Sequence, residues 1–153
     1  MPKNTCTYAA AVIILTASQA FAGLPVPPPA SPTGSSRTTA FIGLNWVFGS
    51  GGRTVEGIIG AAYGEVDASG DVTGAKGALH FGLNDGLNLR KAKLTGLYGN
   101  TDVQAEAGIG YNLEDLSVFG IGGVNGDYFA AGADLSFGGP FEGYVGVHSI
   151  GDF

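Results

Sequence analysis

The sequence predicts an all-β fold, an eight-stranded antiparallel up-and-down β-barrel built as a meander, and three observations carry that prediction. Apolar and polar residues alternate with period two through most of residues 39–150, and no stretch repeats apolar residues at i, i+3, i+4 and i+7. Seven clusters of Gly, Asn, Asp, Glu, Ser and Pro punctuate the same span. The chain has 28 glycines, and all but Gly23 and Gly34 lie beyond residue 38, many of them inside the alternating runs.

The elements follow in order. The first strand, 39–49, sets Ile42, Leu44, Trp46 and Phe48 against Phe41, Gly43, Asn45 and Val47, and stops at Ser50-Gly51-Gly52. The second, 54–67, sets Val55, Ile59 and Tyr63 against Glu56, Gly60 and Gly64, with Ile58 as an apolar exception, and stops at Ala68-Ser69-Gly70-Asp71. The third, 72–83, holds Gly74, Lys76, His80 and Gly82 in one register and ends at Asn84-Asp85-Gly86, and the fourth, 87–98, ends at Gly99-Asn100. The fifth, 102–112, opposes Val103, Ala105, Ala107, Ile109 and Tyr111 to Gln104, Glu106, Gly108, Gly110 and Asn112. After Glu114-Asp115 comes the sixth, 116–124, closed by Asn125-Gly126. The seventh, 127–137, opposes Phe129, Ala131, Ala133, Leu135 and Phe137 to Tyr128, Ala130, Gly132, Asp134 and Ser136, and Gly138-Gly139-Pro140 leads to the eighth, 141–150. Connections this short make neighbouring strands antiparallel, and closure of the meander removes its two edges.

Residues 1–22 read as a secretory signal peptide: Lys3 is the positive region, 9–15 the apolar run and Ala20-Phe21-Ala22 the cleavage site. Cys6 precedes the apolar run, so it is misplaced for lipid attachment, and cleavage leaves neither a disulfide nor a thiolate ligand or nucleophile. Residues 23–37 form a Pro/Ser-rich spacer with five of the seven prolines, leaving 38–153 as the barrel domain. That domain carries 13 acidic and five basic residues, a net charge of 5 minus 13, or −8. Without a basic patch to displace counterions, nucleic acid is excluded as a partner. Arg90, Lys91 and Lys93, the one local cationic cluster, are expected to form a solvated strand end.

Alternation does not say which face points inward, because a soluble barrel with an apolar calyx and a membrane barrel with a polar lumen share it. The glycines decide. Gly43, Gly60, Gly64, Gly74, Gly82, Gly108, Gly110, Gly132 and Gly146 share the polar register. Glycine weakens a water-facing strand but suits a cramped interior, so the polar side is assigned inward. Glu56, Lys76, His80, Glu106, Asp134 and Glu142 are then expected to form a lumenal network. Trp46, Tyr63, Tyr111, Phe129 and Phe137 are expected as membrane-interface aromatics, and Tyr144 is read the same way.

With its signal peptide, turn-punctuated amphipathic strands, aromatic strand ends and Phe153, the chain resembles small eight-stranded outer-membrane barrel proteins of Gram-negative bacteria over residues 38–153. The resemblance implies an assembly signal made by Phe153 with Val147 and Val145, although Ser149 and Gly151 depart from its apolar alternation. It also draws attention to lipid-modifying hydrolases among such barrels, and hence to His148-Ser149. Adjacent strand residues point to opposite faces, so this pair is not set to share a proton.

Asp67-Ala68-Ser69-Gly70-Asp71 alternates oxygen ligands but lacks the glycine and closing glutamate of a calcium loop, and is read as a hairpin tip. His80 has no second histidine nearby and is read as hydrogen-bonded rather than metal-binding. The strings GAAYG, GIGYN and GIGGVNG precede no helix and are strand glycines, not phosphate cradles. The expectation is a non-catalytic outer-membrane barrel with a structural or surface-interaction role, lipid as partner and no cofactor. The alternative is a soluble periplasmic or secreted barrel that binds a small apolar ligand inside.

Overall fold

A computed structural model describes residues 34–49, 52–84 and 86–151; the expected signal peptide, most of the spacer and Phe153 lie outside them. The chain forms a closed antiparallel barrel of β1 (Ser35–Gly49), β2 (Gly52–Val66), β3 (Asp71–Gly82), β4 (Asn88–Asn100), β5 (Val103–Asn112), β6 (Ser117–Gly126), β7 (Phe129–Ser136) and β8 (Phe141–His148). Each strand pairs with its neighbours in sequence, and β8 closes on β1 from Gly43↔His148 to Gly49↔Glu142.

Most boundaries shift by one or two residues from expectation, and three of the differences have a visible cause. β1 begins at Ser35, inside the expected spacer, because Ser35 to Thr38 pair with Val66 to Tyr63 of β2. That long-range partner is invisible in a local polar sequence. The sixth strand runs through Asn125 and Gly126, and the turn falls instead on Asp127 and Tyr128, with Tyr128 in the left-handed region at φ 64°. Asn100 likewise ends β4 rather than making the turn; its Oδ1 accepts the N–H groups of Asp102 and Val103. The tip at 67–70 turns as expected, with Gly70 at φ 87°.

Following paired residues round the barrel gives its dimensions. The circuit Thr38, Tyr63, Ala75, Gly96, Ala107, Gly122, Ala133, Gly143 returns to β1 at Phe48, a stagger of 48 minus 38, or ten residues. For eight strands this means a tilt of about 40° and an axial rise of roughly 2.5 Å per residue. The interior of such a barrel is just wide enough for side chains.

The distribution of side chains is inverted relative to a water-soluble domain. Ile42, Ile59, Leu94, Ile109, Leu135 and Val145 lie on the outer surface, with Ile42 66 % and Leu94 61 % exposed. Glu56, Lys91, Lys93, Gln104, Glu106 and Asp134 are buried inside. On β4 the outward residues from Leu89 to Tyr98 span nine steps, so the apolar band is about 22 Å tall.

Small residues make the packed interior possible. Phe119 lies across Gly110, where an added Cβ would run into the ring, and a Cβ on Gly60 would sit 2.7 Å from Phe41 Cε1. Gly122, on the outer surface, has nothing within 4 Å of such an atom. Gly110→Ala is therefore expected to lower the unfolding free energy by about 1 to 3 kcal/mol, whereas Gly122→Ala stays within about 0.5 kcal/mol of the parent. Urea titration of the two variants checks the difference.

Candidate functional site

The interior carries two polar clusters at different heights. The one nearer the β1/β2, β3/β4, β5/β6 and β7/β8 turns is built by β2, β3, β4, β7 and β8. Lys91 Nζ donates to Glu142 Oε2 at 2.5 Å and Asp134 Oδ2 at 3.1 Å, with Glu56 Oε1 at 3.6 Å. Lys93 Nζ donates to Asp134 Oδ1 at 2.6 Å and lies 4.2 Å from the Tyr144 ring centroid. His80 Nδ1 is 2.9 Å from Glu56 Oε2. Arg90 Nη1 donates to Glu56 Oε1 at 3.2 Å, while its Nε and Nη2 each reach Glu114 Oε2 at 3.0 Å. Glu114 thus holds Arg90 over one mouth of the barrel.

The second cluster lies toward the end that carries the chain termini. Lys76 Nζ donates to Glu106 Oε2 at 2.6 Å and to Asn125 Oδ1 at 3.1 Å, and Thr95 Oγ1 donates to Glu106 Oε1 at 2.8 Å. Asn125 Nδ2 donates to Gln104 Oε1, and Gln104 Nε2 donates to the carbonyls of Asn100 and Thr101. Beside this cluster Ile150 is buried with Phe41, Ala62 and Ala78. Among the described residues no buried side-chain nitrogen or oxygen lacks a partner. A cavity of about 20 Å³, bordered by Lys76, His80, Lys93, Thr95 and Glu106, lies between the clusters and has room for one water.

The structure divides the six expected lumenal residues between the clusters: Lys76 and Glu106 form one pair, and Glu56, His80, Asp134 and Glu142 join the other. Arg90, Lys91 and Lys93 require correction. They are not a solvated strand end: Lys91 is 1 % exposed and Lys93 is buried. The pairing passes from His80↔Lys91 to Phe81↔Leu89, so Arg90 is the extra residue of a β-bulge. That bulge turns two consecutive side chains, Arg90 and Lys91, toward the interior, against simple alternation. Two cations in succession at a strand start were the available signal, since an inward acidic set needs counter-charges.

Trp46, Tyr63, Tyr111 and Phe129 are exposed on the outer surface, as is Phe137 in the β7/β8 turn. Tyr144 departs from its reading as an interface aromatic: it is buried and faces Lys93, because β8 has Glu142, Tyr144, Gly146 and His148 on its inward register.

No catalytic geometry links His148 with Ser149. His148 Nε2 is 3.0 Å from the Phe129 carbonyl and Nδ1 accepts the Ile150 N–H, while Ser149 Oγ accepts the Ile42 N–H. At the 67–71 tip, Asp67 Oδ1 accepts from the Ser69 hydroxyl and from the N–H groups of Ser69 and Asp71. The Ser69 hydroxyl, ahead of the two backbone donors, holds the Asp67 carboxyl below its ordinary value. Among the described residues no group of three or more His, Cys, Asp or Glu is placed to hold a metal.

No family model, curated protein or solved structure matches the chain.

The two carboxylate environments give a contrasting prediction. Asp134→Ala leaves Lys91 and Lys93 without their shared partner and is expected to cost about 3 to 5 kcal/mol. Glu114→Gln, at the exposed rim, is expected to cost less than about 1 kcal/mol. Equilibrium unfolding of both variants under the same solution conditions measures the gap.

Proposed function

We propose that the chain is a non-catalytic outer-membrane β-barrel with a structural or surface-interaction role. The observation that carries this reading is the inverted polarity: an outward apolar band about 22 Å tall around a charged, neutralised interior. In water that outer surface would be an apolar area far beyond what monomers expose, whereas against hydrocarbon it is the favourable side. Lys91 and Asp134, which burial in an apolar core would penalise, here partner one another.

Outward aromatic residues support the same reading. Tyr63, Tyr98, Tyr128 and Phe129 stand toward the end with the chain termini, and Trp46, Phe48, Tyr111 and Phe141 toward the opposite end. Two such belts suit the two polar boundaries of a bilayer. The filled interior argues against a wide pore, and a soluble carrier of apolar ligands would need the apolar cavity that Lys93, Glu106 and Asp134 occupy here.

Membrane fractionation with heat-modifiable gel migration tests the reading: the chain is expected in the outer-membrane fraction, migrating faster unheated than boiled. Recovery wholly in the soluble periplasmic fraction overturns it. Leu94→Arg, midway up the outward face of β4, is expected to cost about 2 to 4 kcal/mol in a bilayer. A cost near zero for that variant, read by unfolding in vesicles, contradicts lipid contact.

A further inference from the structure

The barrel seam is closed over only half the length of its first strand. β1 pairs with β2 along all fifteen residues, Ser35 to Gly49, but with β8 only from Gly43 to Gly49. Just beyond, Ser149 N–H donates to the Ile42 carbonyl, and the Ile42 N–H meets Ser149 Oγ instead of main chain. The next residue turns away: Ile150 is buried inside, and its carbonyl accepts the Tyr128 N–H. Main-chain groups of alternate strand residues point the same way. The N–H and C=O groups of Ser36, Thr38 and Ala40 therefore face the same side as those of Ile42. Among the described residues no main chain lies against them, and all three residues are exposed.

We propose that the seam-facing main chain of Ser36, Thr38 and Ala40 is a docking site for an extended segment of a partner polypeptide carrying lysine or arginine, added as an extra strand at the β1/β8 seam. Unpaired edges are templates for strand addition, in which main-chain hydrogen bonds supply affinity. The charge preference comes from the rim around the edge. Glu65, which pairs across from Ser36, and Asp67 and Asp71 of the adjoining β2/β3 tip are all exposed there, against Arg37 as the only cation of that rim among the described residues. Outward Ser36, Thr38 and Ala40 are small enough to admit side chains from an added strand.

Two other occupants fit poorly. Rotation about a membrane normal crosses two tilted β1 strands at about 80°, twice the tilt, so a second copy in the same bilayer cannot ladder with this edge. The preceding segment of the chain holds Pro25, Pro27, Pro28, Pro29 and Pro32, which lack the N–H groups that a ladder needs. The argument against a second copy rests on the membrane reading above.

The test uses the full chain in lipid nanodiscs and the capped hexapeptide KTVTVK as probe, with amide hydrogen exchange followed by NMR. At about 1 mM peptide, within the range of weak specific binding, exchange at Ser36, Thr38 and Ala40 is expected to slow at least several-fold while other strands are unchanged. Thr38→Pro removes a donor that points away from β2, so heat-modifiable migration is expected to persist while the protection disappears. Glu65→Lys is expected to weaken the peptide several-fold. No slowing at these amides, or equal protection in Thr38→Pro, overturns the proposal. Vesicle flotation of the same sample separates the two readings: a protein that floats but ignores the peptide refutes the docking edge alone, and one that does not float refutes the membrane reading.

Discussion

An eight-stranded barrel has room inside for side chains and almost nothing else, and this constraint governs the rest of the molecule. A lumen that narrow cannot hydrate its own charges, so every buried cation needs a buried anion within reach. The pairing of Lys91 and Lys93 with Asp134, and of Lys76 with Glu106, answers that need. The remaining volume is taken by aromatic rings laid over glycines, as with Phe119 on Gly110. Neutral interior and full interior are two aspects of one requirement.

The same requirement explains the separation of the lumen into zones. Rings and cations share space where Lys93 lies against Tyr144 and Phe119, an arrangement that recovers part of the lost hydration through the ring faces. At the other end, amides extend a single ion pair: Lys76, paired with Glu106, also donates to Asn125, and Asn125 and Gln104 relay hydrogen bonds outward to the carbonyls of Asn100 and Thr101. Ile150 closes the space beside them with apolar contact.

Much of this was legible because strands have a period of two and the turns are chemically explicit. Gln104, Glu106, Gly108 and Gly110 fall on one face by counting alone, and the interior position of that face follows from the cost of glycine anywhere else. What counting could not reach depends on events between strands. The bulge at Arg90 is a mismatch between β3 and β4, so neither segment announces it, and Arg90 and Lys91 look like an ordinary polar strand start. Tyr144 is a different case: counting puts it on the inward register of Glu142 and Gly146, and it reads as an interface aromatic only because its hydroxyl end suits an interface as well as a cation-lined interior. Ser35 to Thr38 belong to β1 only because Tyr63 to Val66 lie beside them, and local composition holds no trace of that partner. Which carboxylate meets which amine is likewise a matter of stagger: a register shifted by two residues would keep every face and change every ion pair.

The unequal strands have a consequence for the barrel as an object in a layer. β1 and β2 have fifteen residues each and β7 and β8 only eight, while the β-turns at one end lie nearly level, so the opposite rim is cut on a slant. The tall side measures about 37 Å along the axis and the short side about 20 Å. The extra height on the tall side is polar, running Ser35-Ser36-Arg37-Thr38-Thr39, so it stands clear of the apolar band rather than thickening it. The cylinder therefore has a front and a back, with the polar collar raised on one side only.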